Sequence, residues 1–421
     1  MHNLKVGFAG LTHLGLNYLA ASAEMGLNVV GLDFDRKKLN KLKDYVIEYK
    51  EPNLEKVIRK NKKKIFFTNN LINLKKCHLV FISQDVKTNN AGDSYYHSLK
   101  KLIQKTTKVL NKKAVLIILS QVQPGFTRNI KFDQKRLYYQ VETLIFGQAL
   151  KRALRPERVI VGCKNPQDKI NSFFSRYLHK FSCPIVKMKY ESAEFTKISI
   201  NILLASSITA SNMLAEACEK VSADWHEIMP ALQLDRRIGS KAYIRPGLGI
   251  SGGNIERDIA SVKKILLKNK KALSVVKVFI NNSIHMKSWV YRILKSEKIL
   301  SNNNYNIGIL GLAYKENTNS LKNSPAIHLL KKIKNNKINV YDPLIKLENK
   351  RKNCNYINNI NSLIKISNVI IIMTPWNEYG NINKTLKKKK TKVLLIDPYR
   401  IVNFTSIKNR YIKYFTIGKK S

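Results

Sequence analysis

Short apolar runs alternate with amphipathic stretches through the first part of the chain. The runs predict strands at residues 5–9, 28–32, 79–83, 114–119, 158–161 and 183–187, with helical stretches between them. Continuous apolar runs of this kind are typical of strands that are buried on both faces of a parallel sheet. The pattern therefore predicts a doubly wound α/β domain over residues 1–190.

The pattern changes at residues 191–220, where apolar and small residues recur at helical spacing without a glycine or a proline. This predicts one long helix, which could bridge two domains and pair across a dimer. A shorter helix is predicted at 225–234, and helical spacing returns after a glycine-rich loop and continues to about residue 299. Residues 191–300 are therefore predicted to form a central helical region.

Strand patterns return at residues 306–312, 338–342, 369–374 and 393–397. They repeat the N-terminal architecture loosely, so residues 301–421 are predicted to form a second α/β domain. The predicted fold is α/β, with two Rossmann-like doubly wound parallel-sheet domains joined by a long central helix. Ligands often bind in clefts between domains, and we expect the same here.

The first strand, turn and helix carry the pattern of a dinucleotide-binding unit. Gly10 allows a tight turn, Gly15 allows the helix to pack closely on the strand, and Asp33 follows the second strand. A helix N-terminus binds pyrophosphate, and an acid at this separation accepts ribose hydroxyls and favours NAD over NADP. Thr12 replaces the middle glycine of the motif, so an ordinary turn without a cofactor is the alternative. The candidate NAD contacts in this unit are Gly10, Thr12, His13, Leu14, Gly15 and Asp33.

The formal net charge is +48, from 76 Lys and Arg against 28 Asp and Glu. One interpretation of such a charge is a polyanionic partner, such as nucleic acid or an anionic membrane. The excess is spread over the whole chain, however, and Lys and Asn recur in runs such as those at 61–64 and 387–390. This distribution favours a solvated basic surface, and we expect neither nucleic acid nor a membrane as a partner.

The five cysteines form no C-x-x-C pair and have an odd count, which argues against a disulfide framework and against a zinc site. No charged segment followed by an apolar stretch opens the chain. The apolar runs at 115–119 and 369–373 are too short to cross a bilayer. We therefore expect a soluble protein of the reducing cytoplasm, without a metal.

Short motifs follow one another in order from about residue 4 to residue 402. They include Gly10 to Gly15 with Val29-Val-Gly-Leu-Asp33, Pro124-Gly-Phe-Thr-Arg128, Ala193-Glu-Phe-Thr-Lys197-Ile-Ser-Ile-Asn201, Pro246-Gly-Leu-Gly leading to Asp258, and Gly311-Leu-Ala-Tyr-Lys315. In these motifs the chain resembles the UDP-glucose/GDP-mannose dehydrogenase family. The resemblance implies oxidation of the C6 hydroxyl of a nucleotide-diphosphate sugar to a carboxylate, with two NAD consumed. It also implies an N-terminal NAD domain, a long-helix dimer core and a C-terminal domain that holds the nucleotide diphosphate.

The first hydride transfer needs one group that accepts or relays the hydroxyl proton and others that hold the developing oxyanion. In the family a Lys, an Asn and an Asp do this, and the matching residues are Lys197, Asn201 and Asp258. Lys197 and Asn201 are four residues apart on the predicted long helix, so they share one face. The alternative is a solvent-facing lysine and a surface asparagine. Glu142, which matches a family glutamate, completes this candidate catalytic set.

The second oxidation in the family uses a cysteine in a Gly-Gly-Ser-Cys-Phe run, and the aligned residue here is Asn254. An amide nitrogen is not a usable nucleophile, and none of the five cysteines lies in or beside residues 247–258. Other family positions differ too: a second glutamate is Phe146, a threonine near the reacting centre is Gln121, and a C-terminal arginine is Lys322. The family's Val-Pro-Thr-Pro turn beside the nicotinamide is replaced here by Gln84-Asp-Val-Lys87. Gln84, Gln121 and Lys322 are further candidate cofactor contacts.

The resemblance also implies contacts to the nucleotide sugar at Arg237, Tyr243, Arg245, Gly247, Gly249, Lys315 and Arg400. We interpret the chain as an NAD-dependent UDP-sugar oxidoreductase of glycan precursor synthesis whose chemistry is altered at Asn254. It could stop at the aldehyde or ketone, or isomerise the sugar through a transient oxidation. The alternatives are a 6-dehydrogenase in which another group replaces the thiol, and a non-catalytic nucleotide-sugar-binding homologue.

Overall fold

The computed structural model describes residues 4–49, 51–89, 92–346, 353–407 and 409–420. Contacts between Cα atoms divide the chain into two compact units, Met1–Ile200 and Asn201–Ser421. We call them the N-terminal unit and the C-terminal unit. The boundary between them falls inside one long helix, Tyr190–Val221.

The described residues of the N-terminal unit form ten strands and six helices before the long helix. The strands are β1 (Lys5–Ala9), β2 (Asn28–Leu32), β3 (Ile65–Thr68), β4 (Leu79–Ile82), β5 (Lys87–Thr88), β6 (Ser94–Tyr95), β7 (Val115–Ile118), β8 (Leu137–Gln140), β9 (Val159–Cys163) and β10 (Ile185–Lys189). The helices are α1 (His13–Glu24), α2 (Arg36–Lys43), α3 (Leu54–Lys60), α4 (His97–Val109), α5 (Ala149–Leu154) and α6 (Ser172–Leu178). Short 3-10 turns lie at Lys62–Lys64, Leu71–Lys76 and Thr127–Asn129.

Eight of these strands form one sheet in the order β10-β9-β8-β7-β4-β1-β2-β3, and β5 and β6 form a separate antiparallel pair. Alternate residues of the sheet face two different buried clusters, for example Phe8 and Phe81 in one and Val30 and Val80 in the other. Burial of both faces explains why these strands are apolar throughout. The α/β fold predicted from the sequence is confirmed here.

One pairing in this sheet departs from the predicted parallel arrangement. β9 runs antiparallel to β8, with Tyr139 opposite Gly162, and β10 then runs parallel to β9. The sequence also contained two sheet strands that the apolar runs did not predict, β3 and β8. Their mixed aromatic and polar composition gives a weaker signal than the Val- and Ile-rich strands beside them.

The long helix, α7, covers Tyr190–Val221 and is 32 residues long. It is the one helix in the described part of the chain whose length and apolar composition would suffice to cross a bilayer. Central helices of globular proteins share this length and composition, and the first turns of α7 contain the buried polar residues Glu194, Lys197 and Asn201.

The C-terminal unit begins with the rest of α7, and in the part of it that the structure describes seven helices and six strands follow. The helices are α8 (Trp225–Leu234), α9 (Asn254–Ile265), α10 (Lys270–Lys287), α11 (Trp289–Ser296), α12 (Pro325–Lys332), α13 (Ile360–Ile366) and α14 (Asn383–Lys387). The strands are β11 (Asn306–Leu310), β12 (Lys337–Tyr341), β13 (Cys354–Tyr356), β14 (Val369–Ile372), β15 (Val393–Ile396) and β16 (Ile412–Phe415). Further 3-10 turns lie at Ile299–Ser301, Asn377–Ile382 and Phe404–Ser406.

These six strands form a second sheet in the order β13-β12-β11-β14-β15-β16, and each strand runs parallel to its neighbours. Alternate residues again enter two buried clusters, with Ile309 and Ile371 in one and Ile370 and Ile372 in the other. The order changes direction at β11, and the carboxyl ends of strands at such a point are where open α/β sheets bind ligands.

Candidate active site

The glycine turn after β1 has the geometry that the dinucleotide motif requires. Gly10 has a φ of +96°, and a Cβ at this position would stand 2.7 Å from backbone atoms of Gln84. A Cβ at Gly15 would lie 2.1 Å from the carbonyl oxygen of Gly10. Both positions therefore need glycine, one for the turn and the other for the close approach of α1.

Thr12 and Asp33 close the turn from two sides. The Thr12 hydroxyl donates to the carbonyl oxygen of Ser83 at 3.0 Å, so the side chain is drawn toward the end of β4. The Asp33 carboxylate accepts from the Leu11 N–H at 3.0 Å and from the Lys38 ammonium at 2.7 Å. Lys38 was not among the predicted contacts, and its ammonium adds positive charge beside the acid that we expect at the ribose.

His13 belongs to a buried cluster that the sequence did not reveal. Its Nε2 lies 2.9 Å from the Glu51 carboxylate, which also accepts from the N–H groups of Gly147 and Ala149 at 3.0 and 2.8 Å. Burial alone would raise the pKa of Glu51, but the hydrogen bonds from His13 and the two N–H groups hold it below its usual value. The His13 ring stacks on Phe146, with centroids 4.1 Å apart.

The residues that follow β4 and β7 place polar groups beside the glycine turn. The Ser120 hydroxyl donates to the Gln84 carbonyl oxygen at 2.6 Å, and Gln121 next to it is buried. The side-chain oxygens of Gln84 and Asn17 are buried without a hydrogen-bond partner among the described residues. Buried acceptors of this kind call for a donor from a ligand or water. Together with Gly10 and Asp33, they fit NAD.

Lys197 on α7 pairs with Glu142, two residues after β8. The ammonium nitrogen lies 3.0 Å from a Glu142 carboxylate oxygen, and both side chains are largely buried. The other Glu142 oxygen accepts from the Leu144 N–H at 3.0 Å. The structure therefore brings two of the predicted catalytic residues into direct contact within the N-terminal unit, and the solvent-facing alternative for Lys197 is wrong.

Glu194, one turn before Lys197, was missed by the sequence analysis. Its carboxylate is fully buried and accepts from the N–H groups of Gly125 and Thr127 at 2.5 and 2.8 Å. Glu191, three residues before Glu194 on the helix, forms an ion pair with Arg128 on the surface through both of its carboxylate oxygens. The motifs that contain these residues were recognised, but nothing in either motif predicts that they meet.

In the C-terminal unit, Asn201 and Asp258 form a buried pair. The Asn201 amide donates to an Asp258 oxygen at 2.5 Å, and the Asp258 side chain is 1% exposed. The Arg257 Nε lies 3.5 Å from the other oxygen of Asp258. The surface alternative for Asn201 is therefore wrong, and the second half of the predicted set is also in direct contact.

The glycine-rich loop before Asp258 is held at several points of the C-terminal unit. The Gly247 N–H donates to Asn212 at 2.8 Å, and the Ile250 N–H donates to the Ser283 hydroxyl at 2.9 Å. Gly249 has a φ of +79°, and a Cβ there would lie 2.5 Å from the Ser283 carbonyl oxygen. The loop is therefore a fixed structure, and its shape depends on glycine.

Asn254 is the first residue of α9 and is exposed. The two glycines before it contact Lys322: the Gly252 N–H donates to the Lys322 carbonyl oxygen at 3.1 Å, and a Cβ on Gly253 would meet the end of the Lys322 side chain at 3.0 Å. The five cysteines are free thiols outside this loop. The Asn254 amide is thus exposed at the start of α9, at the position that the sequence analysis aligned with the family's thiol.

The remaining predicted substrate contacts differ in their surroundings. Arg237 pairs with Asp235 at 2.6 Å and its side chain is 88% exposed, and Tyr243 and Arg245 are exposed as well. The Lys315 ammonium lies 5.9 Å from the centre of the Tyr314 ring. Arg400 is bound to Asp224, with nitrogen–oxygen distances of 2.7 and 3.0 Å.

Three domain models of one family match most of the chain. They are described as the NAD binding domain, the central domain and the UDP binding domain of the UDP-glucose/GDP-mannose dehydrogenase family, and they match residues 4–180, 191–282 and 308–404. Among curated proteins, a UDP-glucose 6-dehydrogenase of Rickettsia bellii is 26% identical over 442 residues, which is 99% of this chain and 100% of the relative. A UDP-glucose 6-dehydrogenase of Bacillus subtilis is 25% identical over 415 residues, covering 94% of this chain and 87% of the relative.

Solved structures show the same fold. A UDP-glucose dehydrogenase from Pyrobaculum islandicum superposes with a TM-score of 0.86 at 21% identity and covers 100% of this chain and 98% of its own. A UDP-D-ManNAc dehydrogenase from Pyrococcus horikoshii has a TM-score of 0.83 at 20% identity, with 99% of both chains covered.

Proposed function

Because the chain belongs to the UDP-glucose/GDP-mannose dehydrogenase family, we propose that it is an NAD-dependent oxidoreductase that acts on a hydroxyl group of a UDP-sugar. The family models assign it an NAD-binding domain and a UDP-binding domain. The observation that carries the proposal is the buried hydrogen bond between Asn201 and Asp258, which preserves the groups for alcohol oxidation. We also assign Lys197, which lies one helical turn before Asn201 on α7, to the groups that act in this alcohol oxidation.

Oxidation of an alcohol removes a proton from oxygen and a hydride from carbon. NAD supplies the hydride acceptor when it is bound. The Lys197 ammonium and the Asn201 amide are donors that can hold the developing oxyanion, and Asp258 can relay the hydroxyl proton. The ion pair with Glu142 keeps Lys197 oriented, and Asp258 orients the Asn201 amide so that it presents its remaining donor.

The groups for a second oxidation are not retained. A thiolate would have to attack the aldehyde, and an amide at Asn254 cannot do so. Phe146 occupies the position of the second family glutamate, and its ring is stacked on His13. We therefore propose that the reaction is limited to one hydride transfer: it ends at an aldehyde or ketone, or returns the hydride and isomerises the sugar.

A binding protein without catalysis is the second candidate. Thr12 favours it, since this side chain stands where the motif needs a glycine and is bonded to the end of β4. Under this candidate the glycine loop of the C-terminal unit would still hold a nucleotide sugar, because its fixed shape does not depend on NAD.

The stoichiometry of NADH to sugar tests the proposal. Purified protein is mixed with NAD and with UDP-glucose or UDP-N-acetylhexosamines, and NADH absorbance and the sugar product are measured together. We expect one NADH per sugar, or an isomerised sugar without net NADH. Two NADH per sugar would show the full four-electron reaction and refute the altered chemistry. Calorimetry that detects a nucleotide sugar but no NAD would leave the binding-protein candidate.

An Asn254→Cys variant sharpens this test, with Asn254→Ser as the matched control that offers a hydroxyl of similar size. If the loop holds the sugar as proposed, only the cysteine variant should produce a uronate with two NADH per sugar. If both variants behave like the parent protein in the presence of an active substrate, then residue 254 does not face the reacting carbon.

We also propose a homodimer in the cytoplasm that supplies precursors for polysaccharides or other glycans. On α7, Leu203, Met213 and Val221 are 70%, 57% and 73% exposed, which is unusual for apolar side chains on a central helix. Free cysteines suit a reducing compartment. Light scattering should give twice the 48.4 kDa chain mass if the dimer forms.

A further inference from the structure

We infer that Glu194 is a positioning residue, which ties the loop after β7 to α7 and so fixes Gln121 relative to Lys197. The inference rests on the proposed function, because Lys197 and the Gln121 position matter only if alcohol oxidation takes place in this protein. The hydrogen bonds of its carboxylate go to backbone N–H groups of that loop, so Glu194 acts through the loop that it holds.

The contacts themselves form a fork. Each carboxylate oxygen of Glu194 accepts one backbone N–H, from Gly125 at 2.5 Å and from Thr127 at 2.8 Å. Both oxygens are thus engaged, and the side chain has no exposed surface. Gly125 has a φ of +89°, a backbone conformation that residues with a Cβ rarely adopt, so the loop backbone at the point of contact depends on glycine.

The loop and the helix are bound a second time at the surface. Arg128 pairs with Glu191 through two nitrogens, and its guanidinium lies 5.4 Å from the centre of the Tyr190 ring. This outer contact is solvent-exposed and therefore weak, because water and salt screen it. The buried fork must do most of the positioning.

Burial of a carboxylate costs free energy of desolvation, so the Glu194 carboxylate must contribute something that an apolar side chain could not. Burial raises the pKa of Glu194, and the hydrogen bonds from Thr127 and Gly125 offset this only in part. Apolar side chains would join a loop to a helix at lower cost. What the carboxylate adds is direction, since two short charge-assisted hydrogen bonds fix both the position and the orientation of the loop backbone.

α7 therefore holds two neighbouring loops from one helical face. Glu194 binds the loop after β7, and Lys197, three residues later, binds Glu142 after β8. β7 and β8 are adjacent parallel strands, so their carboxyl ends lie side by side. The spacing of two side chains on one helix thereby sets the spacing of the two loops that carry Gln121 and Glu142.

The test uses the full chain with Glu194→Gln, and Glu191→Gln as the matched control on the surface. A glutamine has one acceptor oxygen and turns an NH2 group toward the second N–H, so one arm of the fork is lost. We expect kcat for hydride transfer to fall by about 100-fold, since misplacement of this kind is costly, with the KM for the UDP-sugar nearly unchanged. Glu191→Gln should change kcat by less than about twofold.

Hydrogen exchange provides a readout that does not need activity. In the parent protein the amides of Gly125 and Thr127 should exchange about as slowly as those of β7, and in Glu194→Gln they should exchange at least about tenfold faster. Rapid exchange in the parent protein would overturn the inference even if the variant failed to fold. A variant with slow exchange, or with unchanged kcat, would overturn it as well. Slow exchange without hydride transfer from any UDP-sugar would instead refute the proposed function and leave the fork standing.

Discussion

Each of the two units has a glycine turn after its first strand and an acidic residue after its second strand. The two acidic residues, however, have different hydrogen-bond partners. Gly10 and Gly311 have φ values of +96° and +94°, so the two turns are closely similar. Asp33 follows β2 and Asp342 follows β12, and each accepts a backbone N–H from the turn. The difference lies in what else each carboxylate binds.

The Asp342 carboxylate accepts hydrogen bonds from backbone N–H groups on both sides of it. Its two oxygens accept from the N–H groups of Leu312, Ala313, Leu344 and Ile345, at 2.7 to 3.1 Å, and it is 1% exposed. Asp33 instead accepts from Leu11, Asp35 and Lys38, and its side chain keeps 14% exposure. The same sequence pattern therefore yields an internal brace in one unit and an accessible acceptor in the other, where the family's NAD-binding domain lies.

The largest expected effect is that of Asp342→Ala. Three buried N–H groups and one partly buried N–H group would lose their acceptor, and we expect the C-terminal unit to lose about 3–5 kcal/mol of unfolding free energy. All three tryptophans, Trp225, Trp289 and Trp376, lie in this unit, so urea unfolding followed by tryptophan fluorescence reports on it alone. Asp33→Ala is the matched control and should leave this transition within about 0.5 kcal/mol. Equal transitions for both variants would mean that Asp342 is not a brace.

The second largest expected effect is on NAD affinity, which should depend on Asp33 and not on Asp342. Asp33→Ala should weaken NAD binding by about 10- to 100-fold, because hydrogen bonds to a charged acceptor are lost at the ribose. Isothermal calorimetry measures the affinity, and a lowered affinity should accompany an unchanged tryptophan transition. NAD affinity equal to that of the parent protein would place the cofactor elsewhere.

The smallest effect concerns a second acid of the C-terminal unit, Asp224. Burial alone would raise its pKa, but hydrogen bonds from Arg400, the His226 N–H and Lys419 hold the pKa at about 2, below the ordinary 3.8. A folded-state pKa below the unfolded one stabilises the protein above about pH 4, and this contribution disappears as the pH falls toward 2.

We therefore expect Asp224→Asn to cost about 1–2 kcal/mol near pH 6 and almost nothing near pH 2. Tryptophan-monitored urea unfolding at several pH values measures this difference. If the cost is the same at both pH values, the loss comes from packing and not from the charge of the carboxylate.

Much of the scaffold could be predicted from the sequence because it depends on local patterns. The strands at Lys5–Ala9 and Asn28–Leu32 and the helix at Trp225–Leu234 have the predicted bounds, and α7 differs by one residue at each end. Apolar runs and helical spacing report burial directly, and they do so without knowledge of neighbours. The assignment of Asn201 and Asp258 to one catalytic set is different in kind, since it came from the family resemblance, and their direct contact was not predicted.

Contacts between distant segments could not be predicted. Glu51 meets His13 across 38 residues, and Glu194 meets Gly125 across 69 residues, and neither pair leaves a periodic signal. The direction of β9 is also invisible in the sequence, because an apolar strand reads the same whether its neighbour is parallel or antiparallel. Lys38 was missed because a lysine on an exposed helix is ordinary until its ammonium is found beside Asp33.

The reversal of β9 and β10 determines the direction from which α7 approaches the sheet. Because β10 runs against β7 and β8, α7 starts beside the amino end of β8, where the Tyr190 hydroxyl donates to the Leu137 carbonyl oxygen at 2.8 Å. Seven residues and about 10 Å further along the helix, Lys197 reaches Glu142 beyond the carboxyl end of β8. If β9 and β10 had run parallel to β8, the helix would have started at the carboxyl edge of the sheet and led away from it. This one strand reversal therefore directs the first turns of α7 past the loops that follow β7 and β8, toward the proposed catalytic residue Lys197.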